Sequence, residues 1–113
     1  MVIQYLQYFA AVATILTGMV SLLWPLKVRG FTGLEANGGR GITEIRAVLG
    51  AFFIGLGACA LYFNSIETYA MLGITYLLVA IVRTLSMFID QSVVASNIIS
   101  VLFEVLFGII LIL

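Results

Sequence analysis

The chain has 113 residues, of which 64% are Ala, Val, Ile, Leu, Met, Phe, Trp, Tyr or Cys and only 9% are charged. A soluble domain carries about 25% charged residues, so this composition excludes both a soluble globular domain and a disordered chain. Five Lys or Arg residues against five Asp or Glu residues give the chain no net positive charge, which excludes nucleic acid as a partner. An integral membrane protein remains, with the lipid bilayer as its surroundings.

Four apolar segments follow one another along the chain and predict four transmembrane helices. Each segment is long enough, at about 1.5 Å per residue, to cross a hydrocarbon core of about 30 Å. The predicted fold class is therefore all-α, an integral membrane four-helix bundle in which residues 1–113 form a single domain. The predicted spans are 5–24, 45–63, 69–89 and 93–113.

The three connections differ in length. The first, 25–44, is long and rich in glycine, and Thr43 is the predicted N-cap of the second helix. The connections at 64–68 and 90–92 are short, and Ser92 is the predicted N-cap of the fourth helix. Short connections make the second, third and fourth helices antiparallel neighbours in sequence order.

The basic residues predict the orientation of the chain. Lys27, Arg29 and Arg40 all lie in the first connection, and the positive-inside rule therefore makes 25–44 a cytoplasmic loop. Both termini are then outside, in a cell inner (plasma) membrane. The same three residues are candidate contacts for anionic lipid. Asn37–Gly41 is either a backbone nest for a phosphate or lipid head group, or a flexible interfacial loop.

Rows of small residues predict where helices approach closely, because small side chains let two backbones pack in lipid. We expect the first and second helices to pair through these rows within one chain. The alternative is a seam between two copies of the chain. The predicted packing residues are Gly18 on the first helix and Ala47, Ala51 and Gly55 on the second, with Cys59 extending the second row.

Two charges inside apolar segments, Arg83 and Glu104, define a predicted buried polar site. A charge near the bilayer centre costs about 2.5–3.5 kcal/mol, so we expect these two side chains to meet, directly or through Ser100 or water. The pair is either a structural ion pair that fixes helix packing or a site for a small anion, a head group or a proton. The other predicted members are Ser86 and Asp90 on the third helix, Asn97 on the fourth, and Glu44 and Arg46 where the second begins.

The composition offers little for catalysis or metal binding. The chain has no His and one Cys, which excludes imidazole ligands and a Cys-only metal site. Its carboxylates are too few and too scattered for a metal cage. We therefore predict no catalytic residue, no metal and no cofactor.

Three stretches carry a family resemblance: GGRGITEIRAVLGAFFIGLG, RTLSMFID and FEVLFG. They resemble a widespread bacterial family of small four-helix membrane proteins known as a domain of unknown function, over nearly the whole chain. Its most specific parts are the pattern Arg83, Ser86, Asp90 and the pair Glu104, Gly108. The family is loosely similar to DoxX-like membrane proteins, some of which are subunits associated with quinone or thiosulfate oxidation. The resemblance implies the fold and implies no activity.

Three functional hypotheses follow from these observations. Small size and the lack of catalytic groups favour a structural or accessory subunit of a larger membrane assembly, with other membrane subunits or a second copy as partners. The alternative is a small-molecule or lipid/quinone-binding membrane protein that uses Arg83 and Glu104. The third is an enzyme subunit with Glu104 or Asp90 as proton donor, against which stands the absence of His and of any cofactor motif.

Overall fold

The computed structural model describes the backbone of residues 1–113 and every side chain except those at positions 30 and 31. Within these described residues the regular structure is entirely helical. Four helices are long and apolar enough to cross a membrane, which confirms the predicted all-α, four-helix membrane fold class and indicates a multi-pass membrane protein. They are α1 (Val2–Leu23), α2 (Gly38–Phe63), α3 (Ile66–Ile89) and α4 (Ala95–Ile112).

Helix α2 begins earlier than the sequence predicted. The glycine-rich stretch after Asn37 is the first turn of α2, so the predicted loop 25–44 ends at Asn37. Thr43 lies inside the helix, where its hydroxyl donates to the carbonyl of Gly39 at 3.1 Å, and it is not the N-cap. Each glycine lowers helix propensity by about 1 kcal/mol relative to alanine, but extending an existing helix adds one backbone hydrogen bond per residue.

Short helical segments occur in the connection between α1 and α2, and a π-helical segment occurs within α2. A 3-10 turn, Pro25–Lys27, and a single α-helical turn, Arg29–Thr32, follow α1. Within α2, the segment Ile45–Phe52 is π-helical. A π-helical segment widens the helix and rotates the residues that follow it, so a straight 3.6-residue period does not describe the faces of α2.

The N-termini of α3 and α4 are capped differently. Ser65 is the N-cap of α3, and its hydroxyl accepts from the amide of Thr68 while the hydroxyl of Thr68 accepts from the amide of Ser65, both at 3.2 Å. This capping box starts α3 about one turn before the predicted boundary. In α4 the N-cap is Val94, not Ser92. The carbonyl of Ser92 instead accepts from the side-chain amide of Asn97 at 2.9 Å.

Internal contacts divide the chain into two compact units. Residues 11–63 form one unit, called here the α1–α2 unit. Residues 1–10 together with 64–113 form the other, called here the α3–α4 unit.

In the α1–α2 unit, the two helices pack antiparallel through glycines. A Cβ atom on Gly18 would lie 2.6 Å from the carbonyl oxygen of Gly50, and one on Gly57 would lie 2.6 Å from that of Ala11. A Cβ on Gly50 would lie 3.1 Å from the backbone of Leu22. Side-chain-free positions on both helices therefore set how closely the backbones approach.

This packing confirms Gly18 and corrects the face predicted for α2. Ala47, Ala51 and Gly55 are exposed, as is Cys59, and a Cβ on Gly55 would meet nothing within 4 Å. The prediction was wrong because α2 carries small residues on more than one face. Small size alone does not tell which face the neighbouring helix covers.

In the α3–α4 unit, a second glycine contact joins the two long helices. A Cβ on Gly73 would lie 2.8 Å from the carbonyl oxygen of Gly108. The side chain of Gln7 adds the start of α1 to this unit, because its amide nitrogen lies 3.3 Å from the carbonyl oxygens of Ile110 and Leu111. These carbonyls belong to the last turn of α4, which the helix itself leaves without partners.

Gly57, which contacts α1, and Gly55, which is exposed, give a matched test of the packing. We expect Gly57→Ala to lower the free energy of unfolding by about 1–3 kcal/mol, since the added methyl group overpacks a backbone contact. Gly55→Ala should change it by less than about 1 kcal/mol, in the stabilising direction, because alanine has the higher helix propensity. Unfolding of both variants in mixed detergent micelles, followed by circular dichroism, measures the difference. Equal effects of the two substitutions would contradict the observed packing face.

Candidate functional site at Arg83 and Glu104

Arg83 of α3 and Glu104 of α4 form a direct, largely buried ion pair. The Nε of Arg83 donates to both carboxylate oxygens of Glu104 at 3.0 and 3.1 Å, and Nη2 donates to Oε2 at 2.9 Å. The Arg83 and Glu104 side chains are 30% and 12% exposed. The predicted meeting of these two charges is confirmed, and it occurs without Ser100 as a bridge.

The packing of α3 on α4 explains why the arginine side chain must extend along the helices. Gly73 contacts Gly108, and the two helices run antiparallel, so Arg83, ten residues after Gly73, is level with position 98 of α4. Glu104 therefore lies about 9 Å farther along the axis. The long side chain of Arg83 covers this distance. The two charges neutralise each other, and either one alone would be costly in hydrocarbon.

Asn97 completes the site. Its side-chain oxygen accepts from Nη1 of Arg83 at 3.1 Å, and its side-chain nitrogen donates to the carbonyl of Ser92 at 2.9 Å. The guanidinium thus binds Asn97, which is near the level of the Arg83 backbone, and Glu104, which lies farther along α4. Asn97 also ties the guanidinium to the turn between α3 and α4.

Two other predicted site residues of this unit form a separate contact. The hydroxyl of Ser86 donates to the carboxylate of Asp90, four residues later in the chain. Asp90 is exposed, whereas Ser86 is half-buried. Ser100 is half-buried as well.

Glu44 and Arg46 belong to the α1–α2 unit, whereas Asp90, Arg83 and Glu104 belong to the α3–α4 unit, so the prediction that they form one cluster stays a prediction. Glu44 pairs with Arg40, four residues earlier on α2, and Asp90 with Ser86. Arg46 forms no ion pair in the part of the chain that the structure describes. Both carboxylates bind a residue four positions away, because such neighbours share a helix face and need no other chain segment to bring them together.

An open groove of about 460 Å³ lies beside the ion pair, within the α3–α4 unit. Its lining is mixed: in chain order along α3 it passes from apolar residues, the last of them Val82, to the polar residues Arg83 and Ser86. The sequence predicted the polar members Ser86 and Asn97 but not the apolar ones, whose spacing of three and four residues along the Arg83 face was the available signal. The lining residues are Leu78, Val79, Val82, Arg83, Ser86, Ser92 and Asn97.

The chemistry available at the groove is hydrogen bonding and apolar contact. Arg83 donates, the hydroxyl of Ser86 accepts because its proton goes to Asp90, the hydroxyl of Ser92 donates or accepts, and the leucine and valine side chains supply hydrocarbon surface. Among the described residues, no group of three or more His, Cys, Asp or Glu side chains is placed to hold a metal ion.

Comparison with protein-family models, with curated proteins and with solved structures gave no match to this chain. The resemblance to the small four-helix family therefore stays a prediction. What the site does must be inferred from its own geometry.

The ion pair is testable by a double-mutant cycle. Arg83→Met or Glu104→Leu alone should lower the free energy of unfolding by up to about 3–5 kcal/mol, because each leaves a buried charge without a partner. The double variant should lose less than the sum, since no such charge remains. Glu104→Gln should be milder than Glu104→Leu, because an amide oxygen still accepts from the guanidinium. Unfolding in detergent measures all four, and strictly additive losses would refute the coupling.

Proposed function

We propose that this chain is a multi-pass membrane protein that binds the polar head of a membrane-soluble amphiphile in the groove beside Arg83. The observation that carries the proposal is the mixed apolar and polar lining of that groove. Leu78, Val79 and Val82 offer hydrocarbon to an alkyl chain or ring, while Arg83 and Ser86, which follow them along α3, offer polar groups. Its volume of about 460 Å³ falls within the range of roughly 300–1,000 Å³ for small-molecule sites.

Arg83 has hydrogen-bonding capacity beyond its structural role. A guanidinium carries five N–H donors. The bonds to Glu104 and Asn97 use three of them within the part of the chain that the structure describes. The side chain is 30% exposed and lines the groove. Its remaining N–H groups are therefore available to an acceptor on a ligand.

The charges around the groove favour an uncharged or zwitterionic head over an anionic one. Glu104 neutralises Arg83, and Asp90, held by Ser86 of the groove wall, adds a negative charge. An anionic head group would meet no net positive charge there. A carbonyl or hydroxyl head can accept from Arg83, and a hydroxyl head can also donate to Ser86, whose own proton goes to Asp90, at a smaller cost of desolvation.

A second candidate function is an accessory subunit of a larger membrane assembly. The exposed row Ala47, Ala51 and Gly55 favours it, because small residues let another helix approach closely in lipid. That helix would come from another subunit or from a second copy of this chain. We propose no enzymatic step, because Glu104 accepts from Arg83 on both oxygens and Asp90 accepts from Ser86.

Blocking the groove tests the first proposal. We expect protein purified in mild detergent to retain a small amphiphile, detected by native mass spectrometry, and Val82→Trp to lose it because the indole fills the groove. Ile81→Trp is the matched control, since Ile81 is a neighbouring exposed β-branched residue of α3 that does not line the groove. An amphiphile retained equally by both variants, or bound to neither variant nor the parent, would overturn the proposal.

The same purified samples separate the two functions. An accessory subunit should co-purify with stoichiometric protein partners, which Val82→Trp retains and Gly55→Leu loses, because the leucine covers the exposed row. Wild-type protein that carries an amphiphile and no partner chain would favour the groove alone.

We also propose that the chain lies in a bacterial inner membrane with both termini outside and the connection between α1 and α2 in the cytoplasm. The support is the clustering of Lys27, Arg29 and Arg40 there. A reporter inserted at Gly33, where an added Cβ would meet nothing within 4 Å, should be active on the cytoplasmic side only. A reporter fused after Leu113 should be active outside only. The opposite pattern would reverse the orientation.

A further inference from the structure

The positive charge of this protein is concentrated at one end of the α1–α2 unit. Four of the five basic residues are Lys27, Arg29, Arg40 and Arg46, and the fifth is Arg83 of the other unit. Between positions 27 and 46 the only acids are Glu35 and Glu44. The segment therefore carries a net charge of about +2 at neutral pH.

Ion pairs account for two of these four cations. Arg29 lies 3.4 Å from a carboxylate oxygen of Glu35, and Arg40 pairs with Glu44. Within the described part of the chain, no carboxylate oxygen lies within 4.0 Å of the charged group of Lys27 or of Arg46. Both side chains are exposed, so these two positive charges face the surroundings of the protein.

The register of α1 on α2 brings the two unpaired cations to the same height. Gly50 contacts Leu22 in the antiparallel pair. Arg46 precedes Gly50 by four residues, about one helical turn, and Lys27 follows Leu22 by five residues, in the turn just after α1 ends. Both therefore lie at the end of the α1–α2 unit where α1 stops and α2 starts.

Exposed apolar side chains accompany these cations. Trp24 and Leu26 are 51% and 69% exposed, while their neighbours Pro25 and Val28 are buried. The turn thus buries Pro25 and Val28 and leaves Trp24, Leu26 and Lys27 exposed. Tryptophan is enriched at the level of lipid head groups, and apolar groups beside Lys or Arg are typical of segments that lie in the membrane interface.

We infer that this end of the α1–α2 unit, defined by Trp24, Leu26, Lys27 and Arg46, is a contact surface for anionic lipid head groups. Trp24 and Leu26 insert at the boundary between head groups and acyl chains, and Lys27 and Arg46 bind the phosphates of the surrounding lipids. The surface selects anionic over zwitterionic lipid, unlike the groove, and it belongs to a different unit.

Trp24 reports on its own lipid neighbours, because it is the only tryptophan of the chain. The whole protein is reconstituted in vesicles of equal phosphatidylglycerol and phosphatidylcholine, with brominated acyl chains on one lipid or the other. We expect stronger quenching of Trp24 fluorescence when phosphatidylglycerol carries the bromine. The relative binding constant should change roughly fivefold per cation at low salt, and the preference should shrink in about 1 M salt.

Charge variants test the surface in both directions. Lys27→Gln combined with Arg46→Gln should abolish the preference, whereas Glu35→Gln should strengthen it. Glu67→Gln is the matched control: it also removes one carboxylate, but it follows the other end of α2 and should leave Trp24 quenching unchanged. Inorganic phosphate should act no differently from chloride at equal ionic strength, which separates a lipid surface from a site for free phosphate.

Three outcomes would overturn the inference: equal quenching by the two brominated lipids in the parent protein, a preference that survives the double substitution, or a preference that inorganic phosphate alone removes. The first and third need only the parent protein, so they do not depend on whether a variant folds.

Discussion

The ion pair between Arg83 and Glu104 is the constraint on which the α3–α4 unit depends. Two charges inside apolar helices are tolerable only if each neutralises the other and has its hydrogen bonds satisfied. Gly73 and Gly108 let the helices approach, and the bonds of Arg83 to Asn97 and Glu104 fix where along α4 the approach occurs. Sliding one helix past the other would separate the charges, so a contact that carries little packing area determines the register.

The second constraint is the close contact of two helix backbones at glycine residues, and each unit has such a contact. In lipid there is little gain from removing apolar side chains from their surroundings, because the surroundings are apolar too, and close van der Waals contact takes over as the driving force. Gly18 and Gly57 serve this purpose in the α1–α2 unit, and Gly73 with Gly108 serves it in the other. The two units differ in that only α3 and α4 also share a charge pair within the described residues.

The sequence was sufficient to predict those features for which every alternative carries a large energetic penalty. Long apolar runs had to be helices, and Arg83 had to find Glu104, so both were predictable. The packing face of α2 was not, because Gly55 and Gly57 are equally small and differ only in what lies opposite. The start of α2 at Gly38 was not predicted. The low helix propensity of glycine opposes the hydrogen bond gained by extending the helix, and the two effects are of similar size. The groove was missed because an open space between helices depends on side-chain placement that residue spacing does not define.

The guanidinium of Arg83 has one more consequence, for the stability of α4 itself. Asn97 and Glu104 are seven residues apart on α4, which is about two helical turns. The Arg83 side chain of α3 binds both Asn97 and Glu104, so it stabilises the first half of α4. Unwinding of the first turns of α4 would then break the bond to Asn97, and with it the bond through Asn97 to the carbonyl of Ser92. Fraying of this helix end therefore costs Arg83 its bond to Asn97 while the bonds to Glu104 remain, and the hydrogen bond from a neighbouring helix slows backbone amide exchange near Asn97.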